Sequence, residues 1–110
     1  MERPLRGDVV VVPFPFSDLM RSTRRPALVV ASLSGDDLIL CQITSQARMD
    51  RYAIPLLDRD FQSGSLRVRS VIRPNRLFTA DRSLILYRAG TLRKRKMQEV
   101  QESLVSIFTA

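Results

Sequence analysis

The sequence predicts a mainly β protein, a small barrel with one C-terminal helix packed on it. Two features of its patterning carry that prediction. Short apolar runs rich in β-branched residues recur along the chain, with Pro, Gly and Asp among the breakers between them, as in strands of a small barrel. After Gly90 the apolar period changes from two to that of a helix. Length sets the domain count: 110 residues, 45% of them hydrophobic, suit one domain over 1–110 whose core needs no disulfide or metal staple.

Val9 to Val12 is a continuous apolar run ended by Pro13, the pattern of a core strand. Leu28 to Ala31 and Leu38 to Ile43 repeat it, and Ser34-Gly35-Asp36-Asp37 between them supplies the residues of a tight hairpin turn. Tyr52 to Leu56 and Leu66 to Ile72 read as weaker strands with Gly64 in the turn between them. Val68, Ser70 and Ile72 alternate there with Arg67, Arg69 and Arg73, which predicts an arginine-bearing face in solvent. Leu84 to Tyr87 is a further strand, closed by Ala89-Gly90. Thr91 then reads as the N-cap of a helix over Leu92 to Phe108, with Met97, Val100, Leu104, Val105 and Phe108 on one stripe. Many short strands and one terminal helix predict an SH3-like barrel.

Charge narrows the partner. Eighteen basic residues against eleven acidic ones give +7, an excess that favours a polyanion. Lys94 and Lys96 are the only lysines. Arginine's planar fork grips phosphate and stacks on bases, so the bias suits nucleic acid, although a general arginine preference gives the same composition. The basic triplet Lys94-Arg95-Lys96 stands at the start of the helix, where positive charge opposes the helix dipole, and it reads either as a solvated face or as a surface for a partner. With no histidine in the chain, Ser-His-Asp and Cys-His nucleophiles and imidazole acid-base pairs are excluded. Asp36-Asp37 and Asp58-Arg59-Asp60 are the close acidic pairs, and both read as turns rather than as a two-metal site, so no metal or other cofactor is expected. The single Cys41 lacks partners for a disulfide or zinc site and reads as a small buried strand residue. No leader pattern and no membrane-length apolar run are present, which predicts a soluble, cytoplasmic protein with no membrane contact.

Five segments in order carry a resemblance to a known family. They are Gly7-Asp8-Val9-Val10-Val11-Val12-Pro13-Phe14-Pro15-Phe16, Arg25-Pro26-Ala27-Leu28-Val29-Val30, Ile43-Thr44-Ser45-Gln46, Leu77-Phe78-Thr79-Ala80-Asp81 and Gly90-Thr91-Leu92. Together the chain resembles the MazF/PemK toxins of type II toxin-antitoxin systems. The resemblance implies a CcdB/MazF-type SH3-like barrel, a homodimer, and metal-independent, sequence-selective endoribonuclease activity on single-stranded RNA, chiefly messenger RNA. It also implies an acidic, partly disordered antitoxin that covers the RNA groove, with which such toxins bind DNA. Two other readings stay open: a barrel that holds nucleic acid without cutting it, and a toxin that inhibits a protein target such as a topoisomerase.

By the same resemblance Arg25 and Thr44 match the family's catalytic arginine and threonine. The chemistry is consistent with both. When a 2′-hydroxyl attacks the adjacent phosphorus, negative charge gathers on phosphate oxygens, where a guanidinium and a hydroxyl stabilise it. Pro26 restricts Arg25 to an extended backbone, so that its stem has less freedom to lose. Ser17, Asp18, Arg21, Arg24, Gln46, Arg48, Arg73 and Arg76 are the candidate substrate-binding residues, with Asp18 or a water it holds a candidate base. Arg51 is a further candidate for guiding the RNA backbone. Met20-Arg21-Ser22-Thr23-Arg24 departs from the Glu- and Gly-bearing loop common in the family.

Overall fold

The three long apolar runs form three long strands: β1 (Asp8–Phe14), β2 (Thr23–Ser32) and β3 (Asp37–Thr44). The computed structural model describes residues 3–14, 23–45 and 50–110. Beyond β3 it contains β4 (Ile54–Leu56), β5 (Phe61–Gly64), β6 (Ser70–Asp81), β7 (Tyr87–Leu92) and the helix α1 (Lys94–Phe108). The strands make one antiparallel sheet in the order β4-β6-β3-β2-β1-β7-β5.

That order forces the sheet to curl. β4 and β5 are its two edges, yet only the short segment holding a 3-10 turn at Asp58–Asp60 joins them. A flat sheet of seven strands is about 29 Å wide, whereas the chain from Leu56 to Phe61 reaches about 17 Å fully extended. The sheet therefore wraps into a half-barrel whose edges approach each other at a seam.

Successive residues of the central strands point to opposite faces, and both faces are buried, which is why these strands read as unbroken apolar runs. Val9, Leu28, Cys41, Ile43 and Ile72 pack with Met97 and Val100 of α1 on one face. Val10, Val12, Ala27, Val29, Leu38 and Leu40 pack with Ala80 and Ile85 on the other. Asp8 pins the start of β1. Its buried carboxylate accepts hydrogen bonds from Leu5 N (2.8 Å), Thr91 Oγ1 (2.9 Å) and Arg88 (3.2 Å). At the seam-side edge Gly64 lies opposite Gly90. Gly64 has φ +72, and a Cβ there would stand 2.1 Å from the Ala89 carbonyl oxygen, so this close approach requires glycine.

Several expectations give way to the structure. β1 continues through Pro13 because its pairing with β7 ends at Val11, and beyond that point proline's missing N–H removes no ladder bond on that side. Arg24 and Arg25 stand within β2, opposite Pro13 and Val12, so the strand begins well before the apolar run at Leu28. The Ser34–Asp37 hairpin forms as expected, with Gly35 at φ +84. The strand expected over Leu66–Ile72 begins only at Ser70, so the arginine alternation does not form: residues 66–69 are a loop and Val68 is 60% exposed. The segment expected to form a strand at Leu84–Tyr87 exposes Leu84 and Leu86, and β7 starts at Tyr87. Thr91 ends in β7 with its hydroxyl on Asp8, and Arg93 is the N-cap instead. The helical stripe buries Met97 and Val100 but leaves Val105 and Phe108 exposed. Lys96 is not a solvated charge: it is largely buried against Asp60 (3.5 Å), Glu99 (2.9 Å) and the Pro55 carbonyl (3.2 Å).

Candidate active site

Arg25 and Thr44 come from neighbouring strands, and the register brings them together. Ala27 on β2 pairs with Gln42 on β3. Two residues further along each antiparallel strand, in the directions that run side by side, stand Arg25 and Thr44. Both line one cleft of about 380 Å³. Thr44 is 8% exposed and also pairs with Val71 of β6, so its hydroxyl is carried on backbone held from a second strand. Arg25 is half-buried and has no acidic partner among the described residues. A half-buried guanidinium without a carboxylate is poised to take an external anion.

The rest of the lining fits a nucleotide. Arg24 adds a second guanidinium, and Ser45 and Ser70 add hydroxyls. The Ser70 hydroxyl donates to the Val68 carbonyl (3.0 Å), which ties the 66–69 loop to the wall. Tyr87, 50% exposed, presents an aromatic ring from β7, with Leu66 and Val68 also lining the cleft. No carboxylate is among the described residues that line it. Nor does any group of three His, Cys, Asp or Glu side chains converge among the described residues.

The other sequence candidates divide. Arg24 lies in the cleft. Arg73 is instead bound to Asp50 at 2.6 Å, with 15% of its side chain exposed. Asp50 also accepts from Tyr52 N and Ala53 N, each at 2.9 Å, and these backbone bonds, joined by the Arg73 charge, hold its carboxyl below the ordinary range. Arg73 thus fixes the residue 50–53 turn that leads into β4. Arg76 is exposed on an irregularity of β6, where the register with β3 jumps from Arg73 to Leu77, and it does not line the cleft. Arg51 sits over the Tyr52 ring at 5.7 Å. Ser17, Asp18, Arg21, Gln46 and Arg48 lie outside the described residues.

Ser70 and Tyr87 are lining residues that sequence reasoning did not single out. Tyr87 carried a usable signal, an aromatic at a strand start in a basic chain, but only the β1–β7 register, which pairs it with Val11, brings it beside the Pro26 row of β2. Cys41 on β3 is buried and donates to the Arg73 carbonyl (2.9 Å); burial pushes its thiol up to about 12, so it is inert at neutral pH.

Comparison with known proteins agrees with this geometry. Residues 5–108 match the family described as PemK-like, MazF-like toxin of type II toxin-antitoxin system. No curated protein matches the chain. Among solved structures, MazF from Deinococcus radiodurans superposes with a TM-score of 0.77 at 22% identity, covering 100% of both chains. A MazE-MazF complex from the same organism gives 0.75 at 19% identity, over 98% of this chain and 97% of that one. An endoribonuclease in complex with its cognate antitoxin, from a mycobacterial species, gives 0.76 at 14% identity, over 99% and 96%. At these identities the structures establish the shared fold, and the family match spans nearly the whole sequence: the chain belongs to the PemK-like, MazF-like toxins of type II toxin-antitoxin systems.

Proposed function

We infer that the protein is an endoribonuclease that cuts single-stranded RNA, chiefly messenger RNA, at selected sequences and without a metal ion. The observation that carries this reading is one cleft lined by both Thr44 and a half-buried Arg25 that has no acidic partner among the described residues, with further hydroxyls and no carboxylate among the described lining residues. In the reaction the 2′-oxygen bonds to phosphorus as the 5′-oxygen leaves, giving a 2′,3′-cyclic phosphate and a 5′-hydroxyl. Arg25 neutralises the charge that builds on the non-bridging oxygens, and Thr44 donates to the same phosphate. The 2′-hydroxyl proton passes to a base, for which Asp18 or a water it holds is the candidate, and the leaving oxygen takes up a proton. Arg24 steers the backbone, and Tyr87 offers a ring on which a base stacks.

The partners belong to the same reading. A second copy of this chain completes the groove across a two-fold axis, and an acidic antitoxin segment, ordering as it binds, competes with RNA for the basic cleft. The mycobacterial and Deinococcus relatives solved with antitoxins support that partner.

Purified protein incubated with labelled RNA tests the reading. Cleavage persists in excess EDTA and leaves cyclic-phosphate ends, and Arg25→Ala lowers it by two or more orders of magnitude, the scale of a lost transition-state donor. Melting temperature changes little, since Arg25 has no ion pair to lose among the described residues. RNA bound but left intact would mean a binding module. A folded, fully active Arg25→Ala, or activity removed by chelator and restored by magnesium, would refute the mechanism.

A further inference from the structure

A second cleft opens at the seam where the half-barrel fails to close. Its volume is about 170 Å³, room for one planar base. Leu56 of edge strand β4 and Phe61 of edge strand β5, both buried, form an apolar floor. Its rim is the 66–69 loop, whose Arg67 and Arg69 are exposed and have no acidic partner among the described residues. Leu66 and Val68 line this cleft and the Arg25 cleft alike, so one loop is the wall between them.

The two clefts share more than a wall. Elsewhere four of the described cations are ion-paired: Arg73 to Asp50, Arg82 to Asp36, Arg88 to Asp8, and Lys96 to Asp60 and Glu99. The arginines on these clefts, Arg24 and Arg25 on one side of the wall and Arg67 and Arg69 on the other, are not. Uncommitted guanidinium groups spaced along a ridge, with an apolar slot beside it, are the pattern that follows a single-stranded backbone and seats its bases.

We propose that the seam cleft is a second nucleotide subsite, which takes the base of a nucleotide flanking the cut while Arg67 and Arg69 hold its phosphates. The inference rests on the endoribonuclease reading and extends its substrate path. The strand leaves the Arg25 cleft, crosses the Leu66–Val68 wall, and places one base on Phe61 and Leu56. Asp58, exposed on the same rim, repels a phosphate from the slot and accepts from a base amino group, so the base enters and the phosphate stays on the arginine side. The subsite lengthens the recognised sequence beyond the dinucleotide that is cut.

The test compares two charge-matched variants, Arg67→Ser with Arg69→Ser, and Lys94→Ser with Arg95→Ser at the exposed start of α1. Binding is measured to a dodecamer RNA carrying a 2′-deoxy sugar at the cut. The Arg67/Arg69 variant loses about tenfold or more in affinity, and its log K against log salt slope shrinks by about one for each phosphate contact removed. The Lys94/Arg95 variant loses much less. Cleavage assays show the deficit growing with substrate length, from a trinucleotide to the dodecamer. Scanning abasic sites along the dodecamer with wild-type protein finds one position outside the cut dinucleotide where losing the base costs about tenfold. Equal losses in the two variants, an unchanged salt slope, or no sensitive flanking position would overturn the subsite while leaving the nuclease standing. Wild-type protein that neither binds nor cuts RNA would overturn both.

Discussion

Replacing Asp8 separates the hydrogen bonds it accepts from the charge it carries. Its carboxylate is buried and accepts from Leu5 N, Thr91 Oγ1 and Arg88. Three charge-assisted hydrogen bonds at about 1.5–3 kcal/mol each would sum to more than the site delivers. Two of the donors recover part of that sum on truncation. Leu5 is exposed, so its N–H regains water, and Arg88 is 38% exposed, so its ion pair is screened. Half-buried Thr91 recovers least. Asp8→Ala therefore costs about 3 kcal/mol, or roughly 12 °C in melting temperature for a chain of this size. Asp8→Asn costs only about 1 kcal/mol, because its amide oxygen still accepts from Leu5 N while its NH₂ donates to the Thr91 hydroxyl, which accepts as readily as it donates. Urea unfolding with a common m value measures both. Equal losses in the two variants would mean that charge rather than hydrogen bonding holds the strand start, and an alanine loss below about 1 kcal/mol would mean that the pin is idle.

Two further perturbations follow from the packing. Gly64→Ala, at φ +72 with a Cβ 2.1 Å from the Ala89 carbonyl oxygen, lowers stability by about 3 kcal/mol or more in urea unfolding; a loss under about 1 kcal/mol would mean that β5 need not lie so close to β7. Cys41, raised from 9.0 to about 12 by burial, stays protonated in the folded chain while the unfolded chain ionises near 9. Its contribution is thus complete below pH 9 and is lost as pH rises toward 12, by about 1.4 kcal/mol per unit and at most about 4 kcal/mol. Cys41→Ala lacks this extra alkaline slope, and the native thiol resists alkylation at pH 8; equal slopes or rapid labelling would refute the burial argument.

What the sequence made legible was whatever a single segment decides. β1, β2 and β3 are buried on both faces, so their apolar runs announce them without knowledge of any neighbour. β5, Phe-Gln-Ser-Gly, has one buried side chain, and it is a strand because β7 offers it a backbone ladder and Gly90 lets it approach. Nothing local encodes that. The helix start is not legible for a related reason: Thr91 is a good cap by type, but Asp8, far away in sequence, takes its hydroxyl. The candidate pair Arg25 and Thr44 is legible through the resemblance carried by Arg25-Pro26 and Thr44-Ser45-Gln46, while their adjacency needs the Ala27–Gln42 register. Arg73 and Arg24 look alike in sequence. One is committed to Asp50 and the other faces the cleft, a difference that only the fold creates.

That difference bears on how a charge of +7 acts. A guanidinium in contact with a carboxylate has little field beyond a Debye length of about 8 Å, because the pair is nearly neutral from outside. The ion pairs at Arg73, Arg82, Arg88 and Lys96 therefore remove those cations from the long-range field, and none of these residues lines either cleft. Among the described residues the ion-paired acids Asp8, Asp36, Asp50, Asp60 and Glu99 line neither cleft, and Arg24, Arg25, Arg67 and Arg69 have no ion pair. On the endoribonuclease reading an incoming polyanion would be drawn to the wall between the clefts from a distance and would then meet guanidinium groups that are in no ion pair. On the proposed function an acidic antitoxin segment competing for the same surface would meet the same groups, so high salt would weaken substrate and inhibitor together, and the apolar slot and the Tyr87 ring rather than charge would distinguish them.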